Sequence, residues 1–224
     1  MTSQPATADT ARAARPTLAG VLCGAFLLAA AVDLGSLLAG ADTGHLVAKP
    51  LLMPLLAAYA ATRGAPAPLL AALLLGWGGD VLLLLDADGA FLAGMGSFAL
   101  GHVCYLVLFG RRRTSPALGA GYALVLAGTL VALWPGLPAD LRIPVAGYSL
   151  LLAAMAYRAG SLGVLAGTGG ALFLLSDTLI ATGIAEWPQL PVPDFWVMLT
   201  YIAAQCLLTA GVLRAMYGER RTTS

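Results

Sequence analysis

The stretch Leu69-Leu70-Ala71-Ala72-Leu73-Leu74-Leu75-Gly76-Trp77-Gly78-Gly79-Asp80-Val81-Leu82-Leu83-Leu84-Leu85 sets one carboxylate among residues that are otherwise apolar or glycine. A run of about 17–25 such residues is what a helix needs to cross the hydrocarbon of a bilayer, so the stretch reads as a membrane-spanning helix. A carboxylate there is costly unless partners, protonation or water relieve it, which makes an intramembrane acid a functional-site residue by default. Asp33 and Asp177 occupy comparable positions in two other apolar stretches. Three such acids require a shared explanation.

The composition supports this reading. Of the 224 residues, 59% are hydrophobic and 10% charged, and the mean hydropathy is +0.86. A soluble domain carries about 25% charged residues, so the chain is expected to be all-α, a polytopic membrane helix bundle with no room for an added soluble domain. Cys23, Cys104 and Cys206 lie in apolar runs without paired spacing and read as small buried hydrophobes. A span holds only one histidine, His102, so neither metal nor cofactor is called for, and no nucleic-acid partner is expected. Eleven of the twelve basic residues are arginine, in a chain rich in Ala, Leu and Gly. That bias suggests a GC-rich bacterial genome and hence an inner (plasma) membrane location.

Residues 1–16 are read as a disordered cytoplasmic tail, residues 17–217 as the membrane domain and residues 218–224 as a cytoplasmic C-terminal tail. Eight helices are expected, over about 17–39, 46–62, 67–85, 91–109, 117–134, 142–158, 161–183 and 195–217. The first apolar stretch is longer than a signal-peptide core and reads as a retained helix. Ten of the twelve basic residues (Arg12, Arg15, Arg63, Arg111, Arg112, Arg113, Arg158, Arg214, Arg220 and Arg221) fall on one side of this arrangement. Only Lys49 and Arg142 fall on the other, together with Asp42, Asp86, Asp88, Asp140, Glu186 and Asp194. The positive-inside rule then puts both termini in the cytoplasm.

A faint internal repeat is also present. Ala48-Lys49-Pro50 opens one helix and Arg142-Ile143-Pro144 another, and about thirty residues after each proline an aspartate sits in a Gly-rich helix, Asp80 and Asp177. An even number of helices separates the copies, which predicts parallel repeats, four plus four.

The acids share a depth. Asp33 and Asp177 lie six residues, and Asp80 five, from the expected outer ends of their helices, or roughly 8–9 Å at about 1.5 Å per residue. Lys49 enters from the same side. Tyr201 lies at matching depth with Gln205 one turn deeper, while His102 is near mid-bilayer with Tyr105 on its face. The expectation is one polar cavity opening toward the extracytoplasmic side. Each residue has a plainer alternative: Asp33 as a helix-packing group, Lys49 as an interfacial anchor, and the others as satisfied core residues. Gly94, Gly96, Gly101, Gly163 and Gly167 are expected to permit close helix packing.

Lys49-Pro50-Leu51-Leu52-Met53-Pro54, Gly79-Asp80-Val81-Leu82-Leu83, Phe98-Ala99-Leu100-Gly101-His102-Val103-Cys104-Tyr105 and Ser176-Asp177 resemble the signature stretches of the YhhN-like lysoplasmalogenase family, in order and across roughly residues 20–215. The resemblance implies an eight-helix membrane hydrolase that cleaves the vinyl ether of a lysoplasmalogen, or a related lysophospholipid, to a fatty aldehyde and a glycerophospho-base. Asp80 and Asp177 would then be catalytic. One would serve as a general acid, whose protonated form burial favours, and the other as the carboxylate that stabilises positive charge and takes a proton from water. Substrate would be bound or the acids oriented by Lys49, His102, Tyr105, Asp33, Ser176, Tyr201 and Gln205. Lys49 either meets the phosphate or tunes an acid. A small proton-linked transporter rocking about the same pair is the alternative.

Overall fold

The computed structural model describes the backbone of residues 6–85, 87 and 89–222 and the side chains of residues 17–85, 87 and 89–218. Among the described residues there are eight α-helices and no strand: α1 (Ala6–Ala39), α2 (Asp42–Thr62), α3 (Ala67–Leu82), α4 (Ala90–Phe109), α5 (Pro116–Leu133), α6 (Arg142–Ala159), α7 (Val164–Ile184) and α8 (Pro193–Thr222). A 3-10 turn, Gly160–Leu162, links α6 to α7. Six helices are long and apolar enough to cross a membrane, and the fold is a membrane helix bundle. Of the other two, α3 has 16 residues, and α6 is bounded by Arg142 and Arg158, which dilute its apolar run.

Four departures of the helix boundaries from expectation bear on the site and the termini. The stretch expected as an N-terminal tail is helical from Ala6, as a continuation of α1, and α8 runs through the expected C-terminal tail to Thr222. Residues 1–5, Thr223 and Ser224 lie outside the described residues, as do Asp86 and Asp88, assigned above to the outer face. α2 starts four residues early, with Asp42 in its first turn, where a carboxylate complements the helix dipole. α3 stops at Leu82, so Asp80 lies within the last turn and not five residues from the helix end. Hydrophobicity alone marked no stop inside Val81–Leu85. α2 also carries Pro50 and Pro54 in its interior without breaking, a tolerance typical of membrane helices.

Consecutive helices pair as α1–α2, α3–α4 and α7–α8, and the pairs close into a bundle through α2–α3, α4–α6, α6–α7 and α1–α8. α8 is the hub, touching α1, α2, α3 and α7. In its apolar segment 56% of residues are buried, against 6% in α5, which lies at the periphery on α6.

Small residues set the helix spacing. A Cβ on Gly169 would come within 2.7 Å of the Leu208 backbone nitrogen, and one on Gly211 within 2.7 Å of Ala166, so α7 and α8 meet backbone to backbone. Gly94 and Gly101 seat α4 on α3, with the Gly79 and Ala72 carbonyl oxygens 3.3 and 3.2 Å from their would-be Cβ atoms, and Gly167 packs on Gly160. Two of the expected packing glycines do something else. Gly96 faces open space, and Gly163 has φ +105°, a turn conformation, with nothing within 4 Å of a Cβ.

Candidate active site

Asp80 on α3 is 3% exposed, and its Oδ2 accepts a hydrogen bond of 2.8 Å from the hydroxyl of Tyr201 on α8. The Tyr201 oxygen in turn accepts from Gln205 Nε2 at 3.4 Å, and Gln205 Oε1 accepts from the Tyr105 hydroxyl at 2.7 Å. The chain Tyr105–Gln205–Tyr201–Asp80 thus runs from the buried middle of the bundle to one acid. Gln205 and Tyr201 share a face of α8 one turn apart, as their spacing predicts.

Asp177 on α7 has a matching arrangement built from different residues. Its Oδ2 accepts a short hydrogen bond from the hydroxyl of Tyr148 on α6, and Tyr148 meets Nε2 of His102 at 3.1 Å. Because Tyr148 spends its proton on Asp177, the histidine donates from Nε2, which leaves Nδ1 as the bare acceptor. That Nδ1 is buried with no hydrogen-bond partner among the described residues. Among those residues no group is bonded to Oδ1 of either acid. Each carboxyl is held by one oxygen and has the other free for a substrate or water.

Both acids line one cavity of about 90 Å³, enclosed by side chains of α2 to α8. Lys49, Tyr148, Ser149, Ser176, Thr178 and Tyr201 supply the rest of its polar lining near the acids, and most of the remaining wall is apolar. Lys49 enters from α2, half-buried, and acts electrostatically on Asp80, as do Asp33 and Asp177. Phe98, Phe173, Tyr201 and His102 pack edge to face behind the acids, with ring centroids 4.8–6.2 Å apart, and fix the inner wall.

The predicted residues therefore divide into three groups. Asp80, Asp177, Lys49, Ser176 and Tyr201 share the cavity, although the Ser176 hydroxyl donates to the Val197 carbonyl at 3.0 Å and ties α7 to α8. His102, Tyr105 and Gln205 lie behind the cavity in a packed layer and reach the acids only through a tyrosine. Asp33 is not among the cavity's lining. It is fully buried, with Oδ1 2.8 Å from Nδ1 of His45 and Oδ2 unpartnered among the described residues. The single convergence of all these polar groups on one cavity is thus replaced by a cavity, a supporting layer and a separate α1–α2 pair.

Two residues escaped the sequence reading. His45 falls one residue before the expected start of its helix, and the early start of α2 brings it onto Asp33. Tyr148 lies six residues from the expected outer end of its helix, the depth already noted for Tyr201, and the same criterion applied to α6 finds it.

The YhhN family model matches residues 44–212, which include both acids, both tyrosines and Lys49. The human lysoplasmalogenase TMEM86B is 38% identical over 137 residues, covering 61% of this chain and 59% of the human protein. The pig lysoplasmalogenase TMEM86B is 38% identical over 165 residues, 72% of this chain and 70% of that protein. The Mycobacterium tuberculosis lysoplasmalogenase is 35% identical over 216 residues, 86% of this chain and 80% of the mycobacterial one. The chain thus spans about three fifths of the human relative's length and four fifths of the mycobacterial one's. No solved structure gives a significant match. With a family match over most of its length and a bacterial relative aligned over 86% of it, this chain is a member of the YhhN family.

Proposed function

We propose that this protein is a membrane lysoplasmalogenase that hydrolyses the vinyl ether of a lysoplasmalogen by aspartate acid–base catalysis. The observation that carries the reading is the pair Asp80 and Asp177, each fixed by a tyrosine and both facing one cavity inside a membrane bundle. The relatives named lysoplasmalogenase supply the reaction class.

The chemistry suits the pair. A protonated carboxyl delivers its proton to the β-carbon of the enol ether, and the α-carbon becomes an oxocarbenium centre. Water adds to that centre and loses a proton to the second carboxylate, giving a hemiacetal. Collapse then moves the hemiacetal hydroxyl proton to the ether oxygen and releases aldehyde and glycerophospho-base. The proton held by the second acid returns to the first through water, so the cycle closes with one water consumed. One acid holds the proton and the other serves as the carboxylate, and their neighbours differ: Lys49 and Tyr201 beside Asp80, Tyr148 beside Asp177. Different neighbours are how two like acids come to act differently.

The arrangement in the membrane belongs to the same proposal. All eight helices cross the bilayer, both termini are cytoplasmic, and the protein resides in a bacterial inner membrane. The four-plus-four repeat is supported by helix contacts that recur on a shift of four: α1–α2, α2–α3, α3–α4 and α2–α8 reappear as α5–α6, α6–α7, α7–α8 and α4–α6. The test of function is direct. Purified protein given lysoplasmalogen should release fatty aldehyde, and absence of aldehyde from folded protein would remove the proposal.

A further inference from the structure

α5 is anchored at both ends and lies against α6 rather than α4. At its start, Arg158 and Tyr157 of α6 bond the carbonyls of Gly110 and Thr114 in the preceding loop, and Gly160 abuts Leu118, 3.1 Å from a would-be Cβ. At its end, Leu133 and Leu137 pack with Val145 and Ala185, and Gly136 sits so close to the Ala185 carbonyl oxygen that a Cβ would come within 2.5 Å. Between these anchors α5 packs on α6 and touches α7, with almost no contact to α4, its predecessor in the chain. Under the shift of four, the α1–α8 packing corresponds to α4–α5, where the two helices barely meet.

The cavity of the acids reaches that gap. Phe91 and Met95 of α4 and Val125, Leu126, Thr129 and Leu130 of α5 line it. Val125 both lines the cavity and is 55% exposed, which puts the cavity's edge at the surface of the bundle there. At about 90 Å³ the cavity is far smaller than the roughly 300–1,000 Å³ of pockets that enclose a whole ligand. A long-chain molecule bound at the acids must therefore leave most of its chain outside the cavity. The seam is an apolar exit adjoining hydrocarbon, and a chain lying in it never enters water.

We propose that the seam between α4 and α5 is the binding site for the single hydrocarbon chain of the substrate, which enters sideways from the bilayer. The enol ether end reaches Asp80 and Asp177, and the rest of the chain runs out between Phe91 and Met95 on one side and Leu126 and Leu130 on the other. The proposal rests on the lysolipid reading above and names the path that substrate takes.

Two measurements test it. In the first, wild-type protein is photolysed with a non-hydrolysable alkyl-ether lysophospholipid carrying a diazirine in its chain. Adducts are expected on the seam residues of α4 and α5, and adducts confined to other helices would overturn the proposal. In the second, Thr129→Trp fills the seam from within, while Val131→Trp, at a position 76% exposed on α5, serves as control. Thr129→Trp should lower kcat/KM by about tenfold or more for a long-chain lysoplasmalogen and by less than about twofold for a short, water-soluble vinyl ether analogue. Val131→Trp should leave both unchanged. Equal loss on both substrates, or on neither, in folded Thr129→Trp would count against the seam. Failure of wild-type protein to release aldehyde, with adducts still on the seam, would remove the catalytic reading and keep the chain-binding site.

Discussion

Tyr201 donates its hydroxyl proton to Asp80 Oδ2 at 2.8 Å, across 121 residues of sequence and between the third and last helices. Asp177 receives the same service from Tyr148, on a different helix. Two acids in similar sequence settings thus obtain their partners from unrelated places. Their differences in role must come from that surrounding layer, since the carboxyl groups themselves are alike.

Asp80→Asn and Asp177→Asn should each lower turnover by roughly 10²-fold or more, the usual range for loss of a general acid or base. The amide is nearly isosteric and still accepts the tyrosine hydrogen bond, so folding should survive. Aldehyde release by purified, monodisperse protein is the measurement. Near-wild-type hydrolysis by either variant would exclude that residue from the reaction.

Tyr148→Phe and Tyr201→Phe remove the hydrogen bond that orients each acid. A hydrogen bond is worth about 0.5–1.5 kcal/mol to a protonated acid and about 1.5–3 kcal/mol to a carboxylate, equivalent to roughly two- to a hundredfold in rate at about 1.36 kcal/mol per tenfold. The loss should appear in kcat with KM little changed, and the pH–rate profile should move. A purely structural tyrosine would lower the unfolding temperature and leave the profile where it was.

Lys49→Met separates two roles for the only lysine. If the ammonium holds the substrate phosphate, KM should rise with kcat nearly unchanged, because that contact exists in ground and transition states alike. Lys49 lines the same cavity as Asp80 and acts on it electrostatically, which leads us to expect the other outcome, a fall in kcat with a shifted pH–rate profile.

Asp33→Asn should leave kcat near the wild-type value and reduce thermal stability, because Asp33 bonds His45 and does not line the cavity. A loss of turnover comparable to that of Asp80→Asn, in a variant that unfolds normally, would give Asp33 a part in the reaction.

Gly169→Ala forces a Cβ against the α8 backbone, 2.7 Å from Leu208 N. Overpacking of this kind costs about 1–3 kcal/mol, seen as a lower midpoint of thermal unfolding in detergent. Gly121→Ala, on the open face of α5 with nothing within 4 Å, should be neutral or slightly stabilising, since alanine favours the helix by up to about 1 kcal/mol.

The membrane fold, the helices and the two acids were legible in the amino-acid order because their signals are local. A run of apolar residues dictates a span, and the cost of a lone carboxylate within it marks a site wherever the helix packs. Asp80, Asp177, Lys49 and Tyr201 were all reached in this way. The place where α3 ends was not, because Val81–Leu85 are equally apolar inside and outside the helix. Nor could spacing along the chain pair Asp177 with Tyr148 or Asp33 with His45. Those bonds depend on which helix faces lie together, and that is set by glycines such as Gly169 and Gly211, which let particular backbones meet. Depth is a one-dimensional property, recoverable from sequence at about 1.5 Å per residue. Which neighbours surround a given depth, and hence which acid is held by which tyrosine and which residues line the cavity, is fixed only when the helices are packed in three dimensions.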